Sequence, residues 1–495
     1  MLGRGVALTM LAGSRGPRAV LRAPHRRIQA QSNQSEIMPR SFHVFDLMFL
    51  GSGGSSPSRF RGAPCSLLSL GGENFMFDAG EGSLRQLINA PYSAAETSRI
   101  FITHMHADHI LGLPSLILQN AQAPGPLNIY GPVGLYDFLV TTLNMTHASV
   151  SRQIIVNEMV IKSKDFVDFE KNSVRKIPTN WTMQSIRNRE GAGKEIKPNK
   201  SINITRRAIL SDDKGTWRCV DGAMSVHARM VKHRVPCFGY VAQEKAVAGK
   251  LDVEKCDAYG VPVDQRRVFK EGKSYLAKYR DEKGLIVERV IEMSDVCEAP
   301  IPGRRLVYLG DTSDPSNMGT AALDADLLVH EATAGNEFHD TLIARGHSTS
   351  RMAASAALAL NAKRLVINHV GSQYMALSTP HSRPNLKTDT DIQREARTTL
   401  GRPEHCFVAR DFVTVSIPPG GYSRANNKFL VKFPYVNVYG GNVSSKGESV
   451  EVSELPGTPP RGPHAYTALQ VGGGGNRRHG DNGPVRRDKH KDGKR

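Results

Sequence analysis

Six consecutive residues, His104-Met105-His106-Ala107-Asp108-His109, carry three imidazoles and one carboxylate. An apolar strand, Arg99 to Thr103, leads into them, and an apolar helical stretch, Ile110 to Gln119, leads away. On a turn, this H-x-H-x-D-H spacing sends His104 and His106 to one side and Asp108 and His109 to another. Imidazole and carboxylate are suitable ligands for divalent cations, and the spacing fits two ions sharing one small site. Four side chains are too few for two ions. The rest of the chain must therefore supply others.

The missing ligands are found where strands end. Ala223 to Val231 alternates apolar and polar residues and delivers His233. Arg305 to Leu309 is an apolar core strand that ends in Gly310-Asp311-Thr312, and Arg364 to Ile367 ends in Asn368-His369. Collected in this way, His104, His106 and His233 face one cation, Asp108, His109 and His369 face another, and Asp311 lies between them. Such a pair of ions, about 3.5–4 Å apart, lowers the pKa of a shared water to around 7 and stabilises both oxygens of an in-line phosphoryl displacement. Asp108 is also placed to orient the hydroxide. Leu327 to Val329 is followed by His330-Glu331-Ala332-Thr333, and His347-Ser348-Thr349 precedes a helix over Arg351 to Leu360. A carboxylate holding a histidine, as Glu331 and His347 could do, is a sound general acid for a leaving 3′-oxygen. Asp78, at the end of an apolar strand, either accepts a hydrogen bond from a metal-bound histidine or caps the helix that runs towards Leu87.

Around these strand ends the chain shows a front loop and two excursions. Phe45 to Leu50 ends in Gly51-Ser52-Gly53-Gly54-Ser55-Ser56, a glycine-rich turn without the Lys-Ser/Thr of a P-loop. Pro57-Ser58-Arg59-Phe60-Arg61-Gly62 then sets two guanidinium groups, Arg59 and Arg61, beside that turn as candidate RNA contacts. The segment 149–213 is rich in basic residues and lacks sustained periodicity, so it reads as an insertion that either tracks phosphates or is simply solvated. The segment 249–304 reads as a projecting arm in which Lys270 and Lys273 are further candidate contacts. Cys406 to Ala409 and Phe412 to Val415 close the core, and Asn427 to Tyr439 adds a strand or two.

Composition separates the ends from the middle. The chain has 495 residues and a net charge of +18, an excess suited to a polyanionic partner. Its six cysteines contain no C-x-x-C pair and read as reduced thiols of an intracellular protein. No apolar run reaches the roughly 18–20 residues of a membrane span, so no membrane partner is expected. Residues 1–40 begin with six arginines and no acidic residue before Glu36. That composition reads either as an organellar, mitochondrial transit peptide or as a disordered basic tail, and a start near Met38 would give a nuclear or cytosolic form. The expected organisation is thus a targeting segment over 1–40, a catalytic domain over 41–420, an extension over 421–455 and a disordered basic tail over 456–495.

From about Phe45 to Val415 the chain resembles the metallo-β-lactamase superfamily and, within it, the short form of ribonuclease Z, the tRNA 3′-processing endonuclease. The H-x-H-x-D-H loop marks the superfamily. Gly310-Asp311-Thr312, His330-Glu331-Ala332-Thr333 with His347-Ser348-Thr349, and Pro57-x-Arg59-x-Arg61-Gly62 mark the narrower family. The resemblance implies an α/β fold, an αββα four-layer sandwich with a projecting arm and a basic insertion. It also implies two divalent cations, expected to be zinc, held by the seven ligands named above, with Glu331 and His347 as proton donor. The implied substrate is precursor tRNA, cut to leave a free 3′-hydroxyl at the discriminator. A homodimer is implied too, in which the arm of one subunit clamps the tRNA cut by the other. This chain departs from the family pattern at the arm tip, Gly260-Val261-Pro262-Val263-Asp264-Gln265-Arg266, and in carrying Gln373 where the family usually has arginine.

Two other readings remain in view. A superfamily hydrolase of a small phosphodiester or thioester would need neither Glu331 with His347 nor the arginine loop. A non-catalytic RNA-binding subunit would be expected to have lost ligands, and this chain lacks none of the seven.

Overall fold

In the computed structural model, residues 45–417 are described apart from 71, 162–195, 223, 247–248, 281–283 and 375–386, together with strands at 430–433 and 448–451. The targeting segment expected over 1–40 and the basic tail expected over 456–495 fall outside the described residues.

Two sheets stack face to face. The first runs in the order β21-β20-β19-β1-β3-β4-β5-β6-β7-β8. Its strands are β1 (Phe45–Gly51), β3 (Cys65–Leu70), β4 (Glu73–Phe77), β5 (Thr97–Phe101), β6 (Leu127–Pro132), β7 (Val150–Val160), β8 (Ile202–Leu210), β19 (Thr414–Ser416), β20 (Leu430–Phe433) and β21 (Glu448–Glu451). The second runs β18-β16-β15-β14-β11-β10-β9. It is built from β9 (Trp217–Val220), β10 (Met224–Val231), β11 (Cys237–Glu244), β14 (Arg305–Tyr308), β15 (Leu327–Glu331), β16 (Leu365–Asn368) and β18 (Cys406–Val408). A short parallel pair, β2 (Gly53–Gly54) with β17 (Val370–Gly371), links the front loop to the far half of the molecule. The strand expected beyond Pro418 is present as β20, antiparallel to β19.

The apolar pattern decides the layers. Phe45, Leu47, Phe49, Phe77 and Phe101 point inward from one sheet and meet Trp217, Phe238, Tyr240, Tyr308 and Val329 of the other. Phe77 stacks on Tyr308 with ring centroids 4.6 Å apart, so aromatic contact joins the sheets at their centre. The outer face of the first sheet is covered by helices Ser83–Ile88, Leu113–Gln119 and Leu135–Met145, and that of the second by His339–Arg345, Ser350–Ala359 and Asp389–Leu400. This is the expected αββα sandwich.

The segment 149–213 is not a featureless insertion. Its two ends are β7 and β8, which pair in parallel along the edge of the first sheet. The strand alternation was masked by Arg152, a buried cation whose guanidinium donates to Thr97 O and Gly125 O. Residues 162–195, between these strands, lie outside the described residues.

The arm leaves the second sheet after β11 and returns at β14, two adjacent strands. It is a folded body with its own apolar cluster of Cys256, Val261, Phe269, Ala277, Ile291 and Val296, and it includes the hairpin β12 (Tyr275–Arg280) with β13 (Ile286–Ile291). Its base is closed where Glu298 N–H donates to Lys250 O at 2.9 Å, and Arg304 is clamped by Glu244 in a buried ion pair. Among the described residues, no helix is long and apolar enough to cross a membrane, and all six cysteines are free thiols.

Candidate metal centre

All seven expected ligands converge at one end of the sandwich, where strands of both sheets finish. His104 and His106 leave the loop after β5, Asp108 and His109 lie in the one-turn helix Ala107–Ile110, His233 follows β10, Asp311 follows β14 and His369 follows β16. His104, His106, His233 and Asp311 offer ligand atoms within 4.8 Å of one another, as do Asp108, His109 and His369. Asp311 joins the groups. Its Oδ2 lies 3.7 Å from His104 Nε2, and its Oδ1 lies 3.5 Å from His109 Nε2 and 3.3 Å from His369 Nε2.

The rings are held by their outer nitrogens. His109 Nδ1–H donates to Asp78 Oδ2 at 2.8 Å, and His233 Nδ1–H donates to Gly346 O at 2.6 Å. His104 Nδ1 meets the Thr103 hydroxyl at 3.0 Å and the Cys237 sulfur at 3.6 Å. These contacts fix the tautomer that presents Nε2 to the centre, the arrangement metal-ligating histidines require. His106 is the exception. Its Nδ1 faces inward, 2.9 Å from His104 Nε2 and 3.3 Å from His233 Nε2.

Two observations show that this donor set fits cations. The Nε2 atoms of His109 and His369 are buried without a hydrogen-bond partner and face the Asp108 and Asp311 carboxylates, a costly condition unless a cation sits among them. Burial opposes charge on His109, but Asp78 and then Asp311 lift it to about 10, the mark of a site with surplus negative charge. The first group also stays uncharged: burial, and then the neighbouring imidazoles, push His104 well below its usual pKa, and burial followed by His347 does the same to His233. Neutral imidazole is the form that binds metal. Backbone strain is concentrated here as well. Asp78 and His369 both adopt left-handed φ values, 58° and 54°, a cost of about 1–3 kcal/mol each that the surrounding contacts must sustain.

Glu331 and His347 form the expected pair beside the centre. His347 Nδ1–H donates to Glu331 Oε1 at 3.0 Å, and Glu331 also accepts from the backbone of Thr312 and the hydroxyl of Thr333. Burial opposes charge on both, but their mutual attraction prevails: Glu331 is held down to about 2 and His347 is lifted to about 9. The pair is therefore carboxylate and imidazolium at neutral pH. For Asp108, burial is outweighed by the His369 and His109 rings, whose Nε2 atoms each lie 3.6 Å from its Oδ2 and hold its carboxyl well below the usual range. Ser55 N–H donates to Asp108 Oδ2 at 2.9 Å, so the glycine-rich front loop positions it.

Asp78 is resolved as a ligand support. It accepts from His109 and Thr103, while the helix that begins at Ser83 is capped at Gly82. The loop arginines divide. Arg59 is exposed, with its guanidinium over the Phe60 ring. Arg61 is not available to RNA: it is 2% exposed, ion-paired to Asp389 at 2.9 Å, and donates to Ser52 Oγ and Ala409 O. Two arginines one residue apart on a turn face opposite ways, and the sequence gives no sign of which one points inward. In the arm, Lys270 and Lys273 are exposed, but Lys273 pairs with Glu271 at 2.8 Å. The arm over 249–304 holds eleven basic and eleven acidic residues, so it is not the cationic patch its lysines suggested.

Residue-by-residue reasoning missed Asp411, which binds Ser52 N–H, Gly62 N–H and the Gln86 amide and so fixes the front loop. It also missed Gly54, where an added Cβ would stand 2.6 Å from His369 Nδ1. A small residue in a glycine-rich turn carries no sign of such an approach.

Comparison with known proteins agrees with this geometry. The family described as "Anti-Pycsar protein Apyc1" matches residues 45–224. Zinc phosphodiesterase ELAC protein 1 of Bos taurus is 33% identical over 386 residues, covering 75% of this chain and 98% of that protein. Ribonuclease Z of Synechocystis is 30% identical over 378 residues, covering 75% of this chain and 94% of that protein. The chain belongs to the ribonuclease Z family. Among solved structures, human tRNase Z, short form, aligns with 75% of this chain and 99% of its own at 26% identity, with a TM-score of 0.48.

Proposed function

We propose that this chain is a tRNA 3′-processing endonuclease, which hydrolyses the phosphodiester after the discriminator nucleotide of precursor tRNA and leaves a 3′-hydroxyl. The observation that carries this reading is the buried Glu331–His347 pair, hydrogen-bonded at 3.0 Å, with His347 Nδ1 set 3.7 Å from the bridging Asp311. A metal centre alone suits many hydrolyses. An imidazolium held beside it suits one whose leaving group is a poorly acidic sugar hydroxyl.

The residues divide the work. His104, His106 and His233 would hold one divalent cation, Asp108, His109 and His369 the other, and Asp311 both. The all-nitrogen-and-oxygen donor set suits zinc. When bound, the cations supply Lewis acidity to the scissile phosphate and lower the pKa of the attacking water. Asp108, kept ionised, orients that water. His347 gives its proton to the departing 3′-oxygen, and Glu331 keeps the ring charged and aimed. Arg59 and Lys270 lie on exposed surface, where they are available to RNA phosphates.

Further parts of this reading concern assembly and address. A homodimer is supported by apolar side chains on and between the outer helices: Ile88 is 66% exposed, and Leu118 and, in the turn before its helix, Leu111 are also exposed. Sedimentation at micromolar protein checks it, with a monomer contradicting it. Mitochondrial import is supported by the acid-free, arginine-rich first 35 residues. A reporter fused to Met1–Ser35 should enter the organelle, and a diffuse cytosolic signal would rule that out. The enzymatic reading is tested by incubating metal-loaded protein with a 3′-extended tRNA. Loss of product in Asp108→Ala is expected, and wild-type cleavage by that variant would overturn the site.

A further inference from the structure

We infer that the Thr333 hydroxyl is a positioning group that ties the proton-donor pair to the metal ligand His369. Thr333 Oγ1 lies 2.8 Å from Glu331 Oε2, 3.2 Å from His369 Nδ1 and 3.4 Å from His347 Nδ1. A hydroxyl has one proton and two lone pairs. The Glu331 carboxylate can only accept, so the proton goes to Oε2. The His347 N–H is already given to Glu331 Oε1 at the shorter distance of 3.0 Å. The Thr333 oxygen is thus left to accept from His369 Nδ1–H. That bond fixes the His369 tautomer and turns its partnerless Nε2 towards Asp311 and Asp108.

The hydroxyl is itself held from both sides. Thr333 O accepts from Gly371 N at 3.0 Å, and Thr333 N–H reaches Glu331 Oε2 at 3.2 Å. Gly371 lies in the short strand β17, directly after His369 and Val370. Against the same Nδ1 edge of the His369 ring there is room only for the backbone of Gly54, where an added Cβ would stand 2.6 Å from Nδ1 and 2.7 Å from Cε1. Movement of the His369 Nδ1 edge is therefore limited by a glycine packed close to it and by the hydroxyl bonded to it. One carboxylate, Glu331, serves two tasks: through Oε1 it charges the proton donor, and through Oε2 and Thr333 it aims a ligand. The inference rests on the reading of His369 as a ligand.

The test uses the full chain loaded with zinc and a competing chelator, with bound zinc counted at each chelator concentration. Thr333→Val should release one of two equivalents at about 10–100-fold lower chelator activity than wild type, the range for loss of such an outer hydrogen bond. The second equivalent should hold as in wild type, and Thr333→Ser should keep both. Thr333→Ala, which removes the hydroxyl without placing a methyl against a carboxylate, carries the same expectation should the valine variant not fold. His369→Ala losing one equivalent while Thr333→Val and Thr333→Ala keep both would overturn the inference and leave the ligand reading standing. Loss in Thr333→Ser equal to that in Thr333→Val would overturn it too. Two equivalents retained by His369→Ala would overturn the ligand reading along with the inference.

Discussion

His347 Nδ1 stands 3.0 Å from Glu331 Oε1, in a pocket where both side chains are buried. That contact sets a pH window. Glu331 is depressed to about 2, so its contribution to stability is present above the usual glutamate range and is lost as pH falls towards 2. His347 is raised to about 9, so its contribution is fully present below the ordinary histidine value and is lost as pH rises through 9. The rate on substrates with a poor leaving group should therefore fall above about pH 9. Glu331→Gln removes the charge that raises His347, and the alkaline limb should move down towards roughly 6.5. A limb unchanged in Glu331→Gln would remove His347 from the proton-donor role.

His347→Ala separates binding from chemistry. Its Nδ1 is committed to Glu331, so both cations should remain, while kcat drops by about 10²–10⁴, the usual range for a general acid. Metal content and kcat on one preparation check this. Zinc lost in proportion to activity would make His347 a ligand instead.

Arg61 and Arg59 should respond in opposite ways. Arg61→Ala leaves Asp389 buried beside Arg410 alone and should cost about 3–5 kcal/mol of stability, seen as a lowered Tm. Arg59→Ala should leave Tm unchanged, raise KM for precursor tRNA and flatten its salt dependence by roughly one phosphate contact. A Tm loss in Arg59→Ala, or none in Arg61→Ala, would reverse the assignment.

The arm can be removed cleanly because its base is closed at Lys250 and Glu298. Replacing residues 251–297 by a two-residue linker should raise KM for precursor tRNA while hydrolysis of a small phosphodiester survives. Because the arm is balanced in charge, the loss should depend only weakly on salt. Equal loss on both substrates would show that the arm supports the sandwich.

How much of this was legible follows from where the information lies. Ligands at strand ends declare themselves, since Asp311 and His369 each follow a short apolar run and His233 follows an alternating one, both patterns of a buried strand. The outward or inward sense of Arg61 does not, because its partner Asp389 lies 328 residues away. Strand β7 was hidden because its Arg152 and Glu158 are buried polar residues satisfied by backbone groups that only the fold brings near. The hydroxyl of Thr333 sat in plain view, two residues past Glu331. Its reach to His369 depends on β15 and β16 lying side by side in parallel, with Glu331 opposite Asn368.

The central claim is that this centre cuts precursor tRNA at one phosphodiester. The most direct measurement is 3′-end mapping of a precursor tRNA with a 3′ trailer after incubation with zinc-loaded protein. The account predicts a single cut after the discriminator, with a hydroxyl on the tRNA and a phosphate on the trailer, abolished by Asp108→Ala. Intact precursor tRNA alongside active hydrolysis of a small phosphodiester or thioester would contradict it.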